Sequence, residues 1–186
     1  MKPLPYAWIT AGILFAGATV WINYEVKINI QAARESGSTG QLGNIKAGQP
    51  APDFSAQDLS GRTVTLAEYR GQKVVVLDFW ATWCGPCRMA MPGLQAVQEK
   101  FKGRGLEILS INQGEAPAVA GNFMKKRGYD FHVLLDPDST IGAKYAVRGI
   151  PTMVAVDKAG VVRWIRVGYL PDDGDLKLMV ERLIGE

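Results

Sequence analysis

L-D-F-W-A-T-W-C-G-P-C-R-M-A-M-P, residues 77–92, decides how this chain is read. It joins two different patterns. Upstream, Lys73–Trp80 (K-V-V-V-L-D-F-W) is a β-branched and aromatic run suited to a strand buried on both faces. Downstream, Ala90, Leu94, Val97 and Phe101 mark one face of a helix. At the junction stand Cys84 and Cys87, the two cysteines of the chain. Haem attachment requires His after the second cysteine, and Arg88 stands there instead. With two Cys and one His (His132), a structural Cys/His zinc site is out of reach. A purely structural disulfide closing so small a loop would contribute only about 2 kcal/mol. Redox exchange remains. Cys84 is predicted at the helix N-terminus, where unpaired N–H groups and the macrodipole favour an anion, drawing a thiol pKa from about 8.5 toward 7. Cys87, one turn further in, is placed for intramolecular attack on a mixed disulfide. Pro86 offers no N–H and stiffens the turn.

Working outward, Leu106–Ile111 reads as the next strand and Ala116–Arg127 as a helix. Phe131–Leu135 reads as a short strand and Ser139–Tyr145 as a short helix. Thr152–Asp157 and Val161–Val167 flank the hairpin signal Lys158-Ala159-Gly160. Leu176, Met179, Val180, Leu183 and Ile184 repeat at helical spacing, with Gly185 as a stop. Strands alternating with helices predict an α/β sheet closed by an antiparallel hairpin. The motifs G-x-G-x-x-G, G-x-x-x-x-G-K and H-E-x-x-H are absent.

The 186 residues carry 21 basic and 18 acidic side chains, a net charge of +3. Residues 1–47 hold four basic and two acidic groups, so residues 48–186 are nearly neutral at +1, which argues against nucleic acid as a partner. Tyr6 to Ile22 contains no charge and would span about 26 Å as a helix, the short end of a bilayer crossing. Lys2 before it favours a cytoplasmic N-terminus, and Trp8, Trp21 and Tyr24 suit the interfaces. A cleaved signal peptide is the rival reading, because Ala16-Gly17-Ala18 resembles a cleavage site. The anchor is preferred, since apolar character continues through Val20-Trp21-Ile22. Either way the rest of the chain leaves the cytoplasm. Three regions are expected: an anchor over residues 1–24, a flexible linker over 25–47 spanning roughly 25 Å, and a folded domain over 48–186.

Leu77–Pro92 resembles the thioredoxin active-site pattern nearly position for position, including Asp78 before the cysteines and Pro92 after them. Val147-Arg148-Gly149-Ile150-Pro151-Thr152 is similar to the cis-proline loop of that superfamily, and Gly168 to its glycine after the last hairpin. The resemblance implies a thioredoxin fold over residues 48–186: a central mixed sheet flanked by helices, preceded by the transmembrane helix. Ala51-Pro52-Asp53-Phe54 as an N-terminal extension, and a helix–strand insertion within Ser110–Leu135, resemble the membrane-anchored TlpA/ResA-like branch. That branch maintains extracytoplasmic thiols and often serves cytochrome c maturation. Gly85-Pro86 and Asp78 depart from it and look like general thioredoxin.

The resemblance implies site roles. Asp78 is a carboxyl of raised pKa that takes the proton of Cys87, or else a partly solvated strand-end Asp. Pro151 is the cis residue packed beside the cysteines, and Ile150 presents its backbone to an extended substrate segment. Trp80 and Trp83 share core and rim duties. Glu115 tunes the thiols or contacts the partner, or is an ordinary loop glutamate. Lys125-Lys126-Arg127 reads as a solvated helix end, and His132 has no catalytic role. The implied activity is a thiol–disulfide oxidoreductase of the bacterial inner membrane, with its domain on the periplasmic or other extracytoplasmic side. It reduces protein disulfides and is recharged by a thiol-reducing membrane electron donor. No cofactor beyond the Cys84–Cys87 pair is expected, and no metal. An oxidase or isomerase uses the same residues. A thiol peroxidase needs its cysteine in a P-x-x-x-T-x-x-C setting, which is lacking here, and copper-binding modules of this fold commonly add a histidine beside the cis-proline loop.

Overall fold

The computed structural model describes residues 40–171 and 174–186. The anchor expected over residues 1–24 and most of the linker lie outside the described residues, among which no helix is long and apolar enough to cross a membrane. The described strands are β1 (Gln41–Leu42), β2 (Ile45–Lys46), β3 (Ser55–Asp58), β4 (Thr63–Thr65), β5 (Val74–Trp80), β6 (Leu106–Gln113), β7 (His132–Asp136), β8 (Thr152–Val156) and β9 (Val162–Val167). The helices are α1 (Gly85–Phe101), α2 (Pro117–Arg127), α3 (Thr140–Lys144) and α4 (Gly174–Gly185), with a 3₁₀ turn at Leu66–Tyr69.

β1 and β2 pair with each other; the other seven strands form one mixed sheet in the order β4-β3-β7-β6-β5-β8-β9. β5, β6 and β7 run parallel, and β8, β9, β3 and β4 complete the sheet antiparallel. β5 is buried at all seven positions, which accounts for its near-continuous apolar sequence. On one face Val74, Val76 and Trp80, with Ile108, Val133, Met153 and Trp164, pack against apolar residues of α1, α2 and α4. On the other, Val75, Leu77 and Phe79 pack with Phe54, Leu66, Ile141 and Tyr145.

The helix that carries the cysteines is held by its apolar stripe. Ala90, Met91, Leu94, Val97 and Phe101 are buried, and each of the larger side chains contributes roughly 1.5–3 kcal/mol by leaving water. Pro92 lies inside this helix and deprives the Arg88 carbonyl of its usual donor. α2 ends on Gly128 at φ 72°, a left-handed conformation that glycine adopts without strain, and its N–H caps the Met124 and Lys125 carbonyls. Lys125, Lys126 and Arg127 are exposed in the last turn of α2, where cations suit the dipole.

Two regions differ from the sequence reading. Residues 41–46, assigned there to the linker, form the β1/β2 pair, and Ile45 is buried in the second core cluster. The β3–β4 hairpin was also unread. Its inward residues in β3 are Ala56 and Asp58, so the alternation carries almost no apolar signal. Asp58 earns its place by accepting hydrogen bonds from the Ser60 hydroxyl and the backbone N–H groups of Ser60 and Arg62, which shape the turn.

Candidate active site

The site begins where β5 stops. Trp80 is fully buried, and the chain then turns through Ala81, Thr82 and Trp83 into α1. Cys84 is the N-cap residue, with extended backbone at φ −75° and ψ 105°. Its carbonyl accepts the Arg88 N–H at 3.1 Å, while the Cys87 N–H donates to its sulfur at 3.2 Å. That second bond satisfies one of the orphan donors of the helix start, and a negative sulfur would accept it more strongly. Pro86 sits in the first turn, where a missing N–H costs no hydrogen bond. Cys84 and Cys87 are joined as a disulfide, with S–S 2.05 Å and Cα–Cα 5.2 Å. Cys84 is 4% exposed and Cys87 2%, whereas Trp83 beside them is 69% exposed. A side chain at Gly85 would meet nothing closer than the Arg88 guanidinium at 3.9 Å, so this position is open and adds no charge to the helix start.

The second wall is the loop before β8. The Ile150–Pro151 peptide bond is cis. The loop is fixed by the Thr152 hydroxyl, which donates to the Gly149 carbonyl at 2.7 Å, and by the Gly168 N–H, which donates to the Pro151 carbonyl at 2.7 Å. Cys84 Sγ lies 3.6 Å from the Ile150 carbonyl oxygen. In the disulfide that sulfur carries no proton, so the contact becomes a hydrogen bond when Cys84 is a thiol.

Asp78 is 2% exposed, which removes the partly solvated alternative. In the sheet register it lies between Ser110 of β6 and Met153 of β8, on the face that carries Cys87 and α1. Burial pushes its pKa up to about 7, against the opposing pull of a Ser110 hydrogen bond and of the Arg166 charge. Ser110 Oγ donates to Asp78 Oδ2 at 3.4 Å.

Glu115 is neither an ordinary loop glutamate nor in hydrogen-bonding contact with the sulfurs. Its Oε2 accepts the Thr82 N–H at 2.7 Å and the Asn112 amide at 2.8 Å, and its Oε1 accepts the Thr82 hydroxyl. It splints the end of β6 to the turn before Cys84. The two tryptophans divide cleanly: Trp80 is core and Trp83 is rim. His132 on β7 lies against Glu107 (3.2 Å) and Asp58 (3.6 Å), binding the β3–β4 hairpin to the sheet. Thr82 and Ser110 went unread in the sequence because their partners lie 33 and 32 residues away, and Arg166 because it looks like an ordinary strand position.

A family model described as the AhpC/TSA family matches residues 47–165. The chain is 32% identical to the thiol-disulfide oxidoreductase ResA of Bacillus subtilis over 172 residues, 92% of this chain and 90% of that protein. It is 35% identical to ResA of Geobacillus thermodenitrificans over 139 residues, 75% of this chain and 79% of that protein. Among solved structures, a Chlorobium tepidum chain described as a thiol:disulfide interchange protein of the DsbE type superposes with a TM-score of 0.71 at 34% identity, covering 76% of this chain and 100% of that one. A cysteine pair at the mouth of a helix, a cis-proline loop against it and these likenesses agree: the chain belongs to the AhpC/TSA family within the thioredoxin superfamily, and is a ResA-like thiol–disulfide oxidoreductase.

Proposed function

We propose that this chain reduces protein disulfides outside the cytoplasm, tethered to the bacterial inner membrane by the apolar run Tyr6–Ile22. The observation that carries the reading is the pairing of a buried Cys87 with Cys84, which lies against the Ile150 carbonyl and next to an exposed Trp83 in the chain. The Cys84 thiolate attacks one sulfur of the substrate disulfide, and the other sulfur leaves as a thiolate that takes a proton from water. Cys87 then gives its proton to the Asp78 carboxylate and attacks Cys84 Sγ. The Cys84–Cys87 disulfide forms, the second substrate sulfur leaves as a thiolate, and two electrons have passed to the substrate. Asp78 returns its proton to water. A thiol-reducing membrane electron donor restores the dithiol.

Ile150 and Pro151 hold an extended substrate segment by its backbone, and Trp83 covers it from the rim. Gly85 and Pro86 leave the helix start uncharged and stiff, and Glu115 keeps the turn in place. Recognition through backbone suits unfolded or extended cysteine-bearing segments. Apocytochrome c, the substrate class implied by the TlpA/ResA-like resemblance, is of that kind.

Direction is testable by equilibrating the protein with a dithiol–disulfide buffer and following the oxidised fraction by thiol alkylation. An uncharged Gly-Pro pair does little to stabilise the thiolate over the disulfide, so a potential near that of thioredoxin, about −270 mV, is expected. A value near −120 mV would make the protein an oxidant.

A further inference from the structure

Arg166 is the one arginine of the described residues that lies wholly inside the first core layer, 1% exposed on β9. Arginine cannot shed its proton, and burying an ion costs several kcal/mol before compensation, so a buried arginine is weak evidence for stability alone. Its neighbours lead toward the disulfide. In the sheet register Arg166 is opposite Met153, and Met153 is opposite Asp78. Its Nη2 lies 3.4 Å from Met153 Sδ, so the guanidinium extends over the residue beside Asp78. From behind, Nη1 pairs with Asp175 Oδ1 of α4 at 3.0 Å, and the Trp164 ring lies 5.1 Å from the guanidinium carbon. Two residues on, Gly168 anchors the Pro151 carbonyl, so the same strand end also backs the cis-proline loop.

We propose that Arg166 is a positioning residue of the thiol–disulfide reaction: held by Asp175, its fixed positive charge governs how readily Asp78 takes up the Cys87 proton. This rests on the reading of Asp78 as the proton acceptor. The groups bearing on Asp78 are the Ser110 hydroxyl from β6 and Arg166 from β9; Asp175 from α4 bears on it through Arg166, and the Cys84–Cys87 pair at the start of α1 belongs to the core layer on the same face of the sheet. A positive charge about two strand spacings away favours the carboxylate, and at protein-like screening its loss should raise the titration midpoint by about one pH unit. An arginine serving only to dock α4 would leave the pH inflection of exchange alone.

The test follows the carboxyl carbon of Asp78 by NMR in the oxidised full chain through pH 5–9, assigned by its loss in Asp78→Asn. In parallel, the pH dependence of disulfide exchange is measured. In Arg166→Gln the midpoint should rise by about one unit from near 7, the exchange inflection should rise with it, and Arg166→Lys should restore both. If Arg166→Gln does not fold, the Arg166→Gln/Asp175→Asn double variant removes both charges; loss of the Asp175 anion offsets part of the effect, so the midpoint and the inflection should rise together by less than in Arg166→Gln. An unmoved Asp78 midpoint overturns the proposal while leaving Asp78's role intact. A midpoint that moves while the exchange inflection stays overturns it at the other joint, by removing Asp78 from the chemistry.

Discussion

Asp78 has the sharpest consequences of any single side chain outside the cysteines. Its native carboxyl keeps a proton to about pH 7, whereas an unfolded aspartate loses it near 4. Between those values the native state binds more protons than the unfolded one. Its contribution to stability is therefore full below about pH 4, falls as pH rises through the window, and is level above about 7. Asp78→Asn should remove this slope, leaving the variant about 4 kcal/mol more stable than the parent at pH 8 and little different near pH 4, by urea unfolding. Exchange near neutral pH should nevertheless slow by at least tenfold. Equal stability at both pH values, or unchanged exchange, would contradict the account.

Elements matter here for what they fasten. The turn that presents Cys84 is tied to the end of β6 by three hydrogen bonds to the Glu115 carboxylate. Glu115→Ala leaves the Thr82 N–H and the Asn112 amide without this acceptor, which should lower unfolding free energy by about 1–3 kcal/mol. Because the carboxylate bonds Thr82 and Asn112 rather than Asp78, the pH inflection of exchange should stay in place while KM for a protein disulfide rises. A shifted inflection with unchanged KM would make Glu115 a tuning residue instead. The same elements divide into legible and illegible ones. β5, α1 and α4 could be read because long apolar runs and helical spacing record burial directly. β3 could not, since what it buries is an alanine and an aspartate satisfied by its own turn. Arg166 in V-R-W-I-R-V reads as a solvated strand residue; only the arrival of α4, with Asp175 in its first turn, makes the site interior.

At the scale of the whole molecule, the described residues form a redox module around one sulfur pair. The sheet buries an acid on the face that α1 covers, the cis-proline loop walls Cys84, and Trp83, next to Cys84 in the chain, is exposed. The sequence carried the cysteines, Asp78 and Pro151 because each stands in a short local pattern. Thr82, Ser110 and Arg166 depend on the order of strands, which no local pattern records. The central claim is that Cys84 attacks and Cys87 resolves. It is tested most directly by expressing the full chain as Cys87→Ser in cell envelopes, trapping thiols with an alkylating agent, and separating without reductant. Mixed disulfides with exported proteins should accumulate on Cys84 and vanish on reduction, while Cys84→Ser should accumulate few. Adducts of equal yield in the two variants, or none with Cys87→Ser, would contradict the account.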